Sequence, residues 1–299
     1  MTRANFLVIG AAKTGTTSLC HYLRQHPSVY VARHKESHYF AHRELRSRLN
    51  GPGDAGGLGS LLVDTEQEYD QLFADVRSEV AVGEASVYYV TEPKALLRAL
   101  DYNPQMRFLL LLREPAARAY SAYAHMVRDR REPAGTFEEA LALEPERVAA
   151  GWSPSYHYYG VSDYAEEIEA LGAVLPADRL HITVLEEMTA DPQRALVDIF
   201  DFLGVDGSIP VDTTQILNRS GRPRIQALND FFVQDGPVKR GLKRLLPYDF
   251  GNRMAHRLRN WNIENAPGPL ASSQQVRFAR LGEATERVLE RPVPAWRGA

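Results

Sequence analysis

Gly10-Ala11-Ala12-Lys13-Thr14-Gly15-Thr16-Thr17 follows the short apolar run Phe6 to Ile9 and precedes residues with helical spacing. A glycine-rich turn between a strand and a helix points several backbone N–H groups at an anion, and the helix N-terminus adds partial positive charge. The spacing is that of a G-x-x-x-x-G-K-[ST] loop, but Thr16 stands where that pattern has the lysine that spans the β- and γ-phosphates of a triphosphate. The lysine has moved to position 13. Such a loop can still cradle one phosphate, with Gly15 in the turn and the hydroxyls of Thr14, Thr16, Thr17 and Ser18 as added donors. Triphosphate hydrolysis is disfavoured. The bland alternative is that Gly10 and Gly15 serve only a tight strand–helix turn.

Arg113 ends the apolar run Met106 to Leu112, and Ser121 lies eight residues later on a helix. A guanidinium fork makes charge-assisted bonds to phosphate oxygens and a serine adds another. Taken singly, Arg113 reads equally as a salt-bridge partner and Ser121 as an ordinary helix residue. Glu36 is the candidate general base. Set beside Tyr39 and Phe40, its carboxyl is expected to be pushed toward neutrality by burial. His38 is the reserve base. On a strand, His34, Glu36 and His38 would share one face and could hold Zn²⁺, a competing reading of the same residues. His125 either packs on its helix or faces the site. Trp152, Tyr156, His157, Tyr158 and Tyr159 form either an acceptor wall or structural packing. Between Pro237 and Asn260, seven lysines and arginines stand against Asp249, either a solvated helical face or an attractor for an anionic acceptor or membrane surface.

The elements that must position these groups alternate between strand-length apolar runs and helical spacing, the signature of βαβ units. Strands are predicted at Phe6 to Ile9, Val29 to Val31, Val80 to Glu84, Met106 to Leu112 and Leu180 to Leu185. Helices are predicted at Thr16 to Gln25, Thr65 to Val76 behind a capping box with Glu68, Glu92 to Asp101, Pro115 to Arg130, Ser162 to Leu171 and Asp191 to Leu203. Thr136 with Glu139 reads as another capping box. Five glycines between Gly51 and Gly59 predict a mobile surface loop, a lid or an insertion. After Asp206 the alternation stops.

Across 299 residues, 35 basic and 38 acidic side chains give a net charge of −3, with no bulk field to hold a nucleic-acid backbone. The single cysteine, Cys20, forms no internal disulfide and removes paired-cysteine metal sites from consideration. With no apolar run long enough to span a bilayer, a cytoplasmic protein is expected.

Gly10 to Leu19 resembles the 5′-phosphosulfate loop of sulfotransferases that use 3′-phosphoadenosine-5′-phosphosulfate (PAPS), and Leu109 to Tyr123 resembles that family's 3′-phosphate segment. Lys35-Glu36-Ser37-His38-Tyr39-Phe40 is similar to a segment of the branch containing heparan sulfate sulfotransferases and bacterial relatives. Gly83 to Tyr88 resembles another family segment, but Ala85 and Val87 stand where some relatives have Lys and Pro. Leu185 to Gly204 matches the strand and helix behind the site, and Asn218 to Arg224 loosely matches a loop closing over the 3′-phosphoadenosine. The resemblance implies a three-layer P-loop-like α/β domain over residues 1–225, with a central parallel sheet flanked by helices, and a mostly helical C-terminal extension over 226–299. It implies sulfuryl transfer from PAPS to a hydroxyl or amine of a small-molecule, lipid or glycan acceptor, leaving adenosine 3′,5′-bisphosphate (PAP) without a metal. Glu36 is then the base, Lys13 stabilises the leaving bisphosphate, and Lys13, Thr14, Gly15, Thr16, Thr17, Ser18, Arg113, Ser121, Ser220, Gly221 and Arg222 bind the nucleotide. The alternatives are a P-loop small-molecule kinase, which needs a lysine at position 16 and a metal-holding carboxylate such as Glu84 or Glu186, and a nucleotide-binding module without chemistry.

Overall fold

A computed structural model of the chain describes residues 2–214, 222–223, 263–264 and 270–297. Strands β1 (Phe6–Gly10), β2 (Val29–Val31), β3 (Ala81–Ala85), β4 (Arg107–Leu112) and β5 (Leu180–Val184) form one sheet in the order β2-β3-β1-β4-β5. Every pairing in it is parallel, with Phe6 opposite Gly83 on one side and Arg107 on the other. A parallel sheet needs covering on both faces, which is why its strands read as continuous apolar runs.

The helices are α1 (Thr16–Leu23), α2 (His42–Arg46), α3 (Glu66–Gln71), α4 (Pro93–Tyr102), α5 (Pro115–Arg128), α6 (Phe137–Ala142), α7 (Glu144–Ala149), α8 (Tyr164–Gly172), α9 (Leu185–Ala190), α10 (Pro192–Leu203) and α11 (Ser272–Val288). Alternation along the strands sorts them into layers. Leu7, Ile9, Phe108, Leu110 and Leu112 pack with α4 and α8, whereas Phe6, Val8, Leu109 and Leu111 pack with α1 and α10. A third cluster joins α5 and α6 to Tyr156, Tyr158 and Phe278 of α11. The C-terminal stretch is tied down further by Arg291 on Glu187 (2.6 Å) and by Trp296 Nε1 donating to Glu186 (3.0 Å). The expected three layers and helical extension are therefore both present. A short antiparallel pair, β6 (Arg222–Pro223) with β7 (Ile263–Glu264), runs with β6 alongside α5.

Several expectations need correction. The capping box at Thr65 and Glu68 is complete, but at Thr136 only half forms, because Glu139 reaches back to the Gly135 amide instead. The strand expected from Val80 to Glu84 runs one residue later, Ala81–Ala85, and the run to Leu185 breaks after Val184 into the unpredicted α9. The glycine segment is pinned rather than mobile. The fully buried Asp54 carboxylate accepts from the Gly51 amide (2.9 Å), the Ser153 amide (3.0 Å), Ser153 Oγ (2.7 Å) and Arg131 Nη2 (2.5 Å).

Candidate active site

The C-terminal ends of the five strands open on a cavity of about 750 Å³. The loop after β1 enters it first. Gly10 and Gly15 have φ of 147° and 89°, and a side chain on Gly15 would lie 2.6 Å from Leu185 at the start of α9, so this glycine answers both a left-handed turn and a close approach. Lys13, Gly15, Thr16, Thr17 and Ser18 line the cavity. Thr14 does not, because its buried hydroxyl donates to Ala11 O within the loop (2.7 Å). The loop is fixed to β4 by the Ala11 amide on Leu111 O (2.9 Å).

Arg113 follows β4, lines the same cavity, and reaches Lys13 O at 3.3 Å. Glu114 caps α5 through the amides of Ala116 and Ala117, with Pro115 in the first turn. Ser121 lies on α5, buried and not among the residues that line the cavity, its Oγ without a hydrogen-bond partner among the described residues. An orphaned buried hydroxyl costs stability unless something else satisfies it, which is what a phosphate oxygen would do. Burial lowers the pKa of Lys13 to about 8, and Arg128, Arg113 and Arg118 push the same way.

Glu36 follows β2, its amide bound to Ala85 O (2.8 Å), and its carboxylate faces the cavity. Its surroundings differ from expectation. Tyr39 and Phe40 turn away into an aromatic cluster with Tyr69 and Tyr102. The carboxylate instead lies 3.0 Å from Nε2 of the fully buried His38 and accepts from the Val87 amide (3.2 Å). Burial raises its pKa, but the His38 imidazole, Lys35 and the Val87 amide together outweigh burial, so Glu36 sits below its ordinary value, not near neutrality. Left-handed backbone at Glu36 (φ 65°) and His38 (φ 45°) also removes the strand that a zinc-binding face would need, and His34 turns outward onto Leu61 O (2.9 Å). Among the described residues no three His, Cys, Asp or Glu side chains converge as metal ligands.

Both strand-end carboxylates named above are otherwise engaged. Glu84 is fully buried, receives Ser86 Oγ at 2.7 Å, and is raised to about 7 by burial. Glu186 accepts from the Glu114 amide and Trp296. His125 lines the cavity, and burial beside Lys13, Arg128 and Arg131 holds it well below its usual value. The aromatic segment is structural. Buried Arg118 binds Ser162 Oγ (2.7 Å) and Tyr158 O (2.5 Å), Glu144 receives the Tyr159 and Gly160 amides, and only Pro154 and Ser155 of that stretch reach the cavity.

Sequence reasoning passed over Lys35, whose Nζ donates to Thr17 Oγ1 at 2.9 Å across the α1–β2 return. It also missed Arg131 and Asp54, whose contact joins segments 77 residues apart. Ser220, Gly221 and the side chain of Arg222 lie outside the described residues, as does the basic stretch 237–260.

Residues 5–208 match the model of the Sulfotransferase family. Over 214 residues the chain is 26% identical to human bifunctional heparan sulfate N-deacetylase/N-sulfotransferase 3, covering 67% of this chain and 22% of that protein. Over 201 residues it is 24% identical to mouse heparan sulfate glucosamine 3-O-sulfotransferase 5, covering 67% of this chain and 53% of that one. The chain thus spans only about a fifth to a half of these relatives. A crystal structure of a sulfotransferase from Alicyclobacillus acidocaldarius superposes with a TM-score of 0.75 at 31% identity, covering 99% of this chain and 100% of that one. A mouse sulfotransferase complexed with PAP shares the fold at TM-score 0.50 and 14% identity. A phosphate loop that keeps its glycines while moving its lysine thus finds its context, and this chain belongs to the sulfotransferase family.

Proposed function

We propose that the protein transfers a sulfuryl group from PAPS to a hydroxyl or amine of a small-molecule, lipid or glycan acceptor by in-line displacement. The observation that carries this reading is a single cavity gathering the phosphate loop, Arg113 and Glu36 from three different strand ends. When bound, the donor supplies the sulfuryl group and departs as PAP. Amides of the loop with Thr16, Thr17 and Ser18 hold the 5′-phosphate, and Arg113 with Ser121 holds the 3′-phosphate. Lys13 sets positive charge where the leaving oxygen becomes negative, and it stays protonated at neutral pH because its pKa is about 8. Glu36, ionised and oriented by His38, accepts the acceptor's proton. Residues 1–225 form the donor-binding domain in this reading, with 226–299 as an extension packed on it, working in a reducing, cytoplasmic setting.

The test is calorimetry with PAP against ATP with magnesium, followed by label transfer from sulfur-labelled PAPS in the wild type and Lys13→Ala. Binding of PAP and transfer lost with Lys13→Ala support the reading. Binding of ATP and magnesium but not PAP would replace it with a kinase, and PAP binding without transfer to any acceptor class would leave a binding module.

A further inference from the structure

Beyond Glu36 the cavity continues away from the phosphate loop, and its walls there are distinct in chemistry. Leu58 and Leu61 come from the pinned glycine segment, Val87 and Tyr88 from the end of β3, and Pro154 and Ser155 from the loop after α7. Their closeness to Glu36 follows from hydrogen bonds. Val87 donates to the Glu36 carboxylate, His34 meets Leu61 O, the Val63 amide binds Ser37 O at 2.9 Å, and Tyr88 hydroxyl donates to Ser155 Oγ at 3.1 Å. Gly56 adds room, since a side chain built on it would meet nothing within 4 Å.

Among the described residues, the basic groups bordering this half are held by partners within the protein or are neutral. Arg131 is bound to buried Asp54, Arg128 lies 2.9 Å from Asp129, and Arg118 is consumed by the Ser162 hydroxyl and backbone carbonyls. His125, crowded by Lys13, Arg128 and Arg131, stays uncharged at neutral pH. The Glu36 carboxylate, which faces inward on this side, repels an anion. An anionic glycan would need unpaired cations where these walls offer leucine, valine, proline and hydroxyl groups.

We propose that the acceptor is an uncharged alcohol on a compact apolar body, seated against Leu58, Leu61, Val87 and Pro154, with Ser155 donating to a second oxygen. This rests on the sulfotransfer reading above. Tyr88 matters twice: its ring flanks the acceptor, and by donating to Ser155 Oγ it leaves the serine hydrogen to point elsewhere. The step balances simply. The acceptor O–S bond forms as the bridging O–S bond to the phosphate breaks, the bond pair leaves with PAP, and the acceptor's proton goes to Glu36.

The experiment measures label transfer from saturating PAPS to cyclohexanol, to 2-phenylethanol and to a heparan sulfate oligosaccharide, at low and at physiological salt. Transfer to the neutral alcohols with an acceptor KM that salt leaves unchanged is expected, because no ionic contact is screened. Leu61→Glu should raise that KM about tenfold, the worth of one buried apolar side chain replaced by charge, while PAP affinity measured by calorimetry stays constant and shows the variant folded. Preference for the oligosaccharide with a KM that climbs with salt would overturn the proposal, as would PAP binding with no transfer to either alcohol. Failure of PAP itself to bind would instead strike the sulfotransfer reading.

Discussion

The two halves of the cavity are held by different kinds of bond. On the donor side, the loop after β1 and Arg113 after β4 extend directly from central strands, and backbone contacts such as the Ala11 amide on Leu111 O fix their spacing. On the acceptor side, residues near 54–61 and 152–155 belong to segments about 100 residues apart that meet through side chains, with the buried Asp54 carboxylate as their common acceptor. A site fixed by sheet geometry changes only if the fold changes, whereas one held largely by side chains from loops can be rebuilt by a few substitutions. The difference makes each half separately breakable.

The largest expected effect lies where the halves meet. Glu36→Gln should slow turnover at saturating substrates by about a hundredfold or more, the usual scale for a general base, with PAP affinity unchanged in calorimetry. Because Glu36 is held below its ordinary value of 4.5, acceptor kcat/KM should stay flat as pH falls through 6 and drop only in the acid range. An acid limb near neutrality would remove Glu36 from the role of base. Next comes the donor side alone. Arg113→Ala should weaken PAP by about 1.5–3 kcal/mol, roughly ten- to a hundredfold, and leave AMP, which has no 3′-phosphate, binding as before. Equal losses for both nucleotides would detach Arg113 from the 3′-phosphate.

Asp54→Ala should cost about 2 kcal/mol in urea unfolding, since Arg131 loses its partner and three further donors lose their acceptor. Acceptor KM should rise while PAP affinity holds. A matching fall in PAP affinity would show that the halves are not independent.

What was legible in the sequence follows the same division. The parallel sheet, the phosphate loop and Arg113 were readable because each is a local pattern, an apolar run or a glycine spacing that physical chemistry ties to one structure. Glu36 was readable as a carboxylate near the loop, but its environment was not. The expected aromatic neighbours Tyr39 and Phe40 lie one and two residues past His38, and the positive φ at Glu36 and His38 swings them into another cluster. Asp54 in a run of glycines looked like part of a mobile loop because three of its four donors sit elsewhere in the chain. Nothing local marks a residue whose partners are supplied by tertiary contact.

A smaller effect separates the cation of the donor side from the base. Lys13, lowered to about 8, loses its proton as pH rises past that value, so donor kcat/KM of the free enzyme should decline about tenfold per pH unit above it. Lys13→Arg should abolish this limb in a pH–rate profile, because a guanidinium stays protonated throughout. A limb that persists belongs to another group.

The smallest expected effect concerns a side chain that bridges the halves. Lys35 adjoins Glu36 in sequence, yet its ammonium donates to Thr17 Oγ1 on the donor loop. An ammonium has no lone pair to accept, so the threonine hydrogen is directed away from it, toward the cavity that Thr17 lines. In the proposed reading, Lys35 thereby orients and polarises a donor for the 5′-phosphate without touching it. Lys35→Met and Thr17→Val should each weaken PAP about fivefold, and the double variant should weaken it no further than either alone, a coupling of about 1 kcal/mol. The nucleoside 3′-phosphate 3′-AMP, which lacks the 5′-phosphate, should bind all four proteins alike. Lys35 also helps to hold the Glu36 carboxyl below its ordinary value, so Lys35→Met should move the acid limb upward in pH, whereas Thr17→Val should not. Additive losses with an unmoved limb would reduce Lys35 to a surface cation.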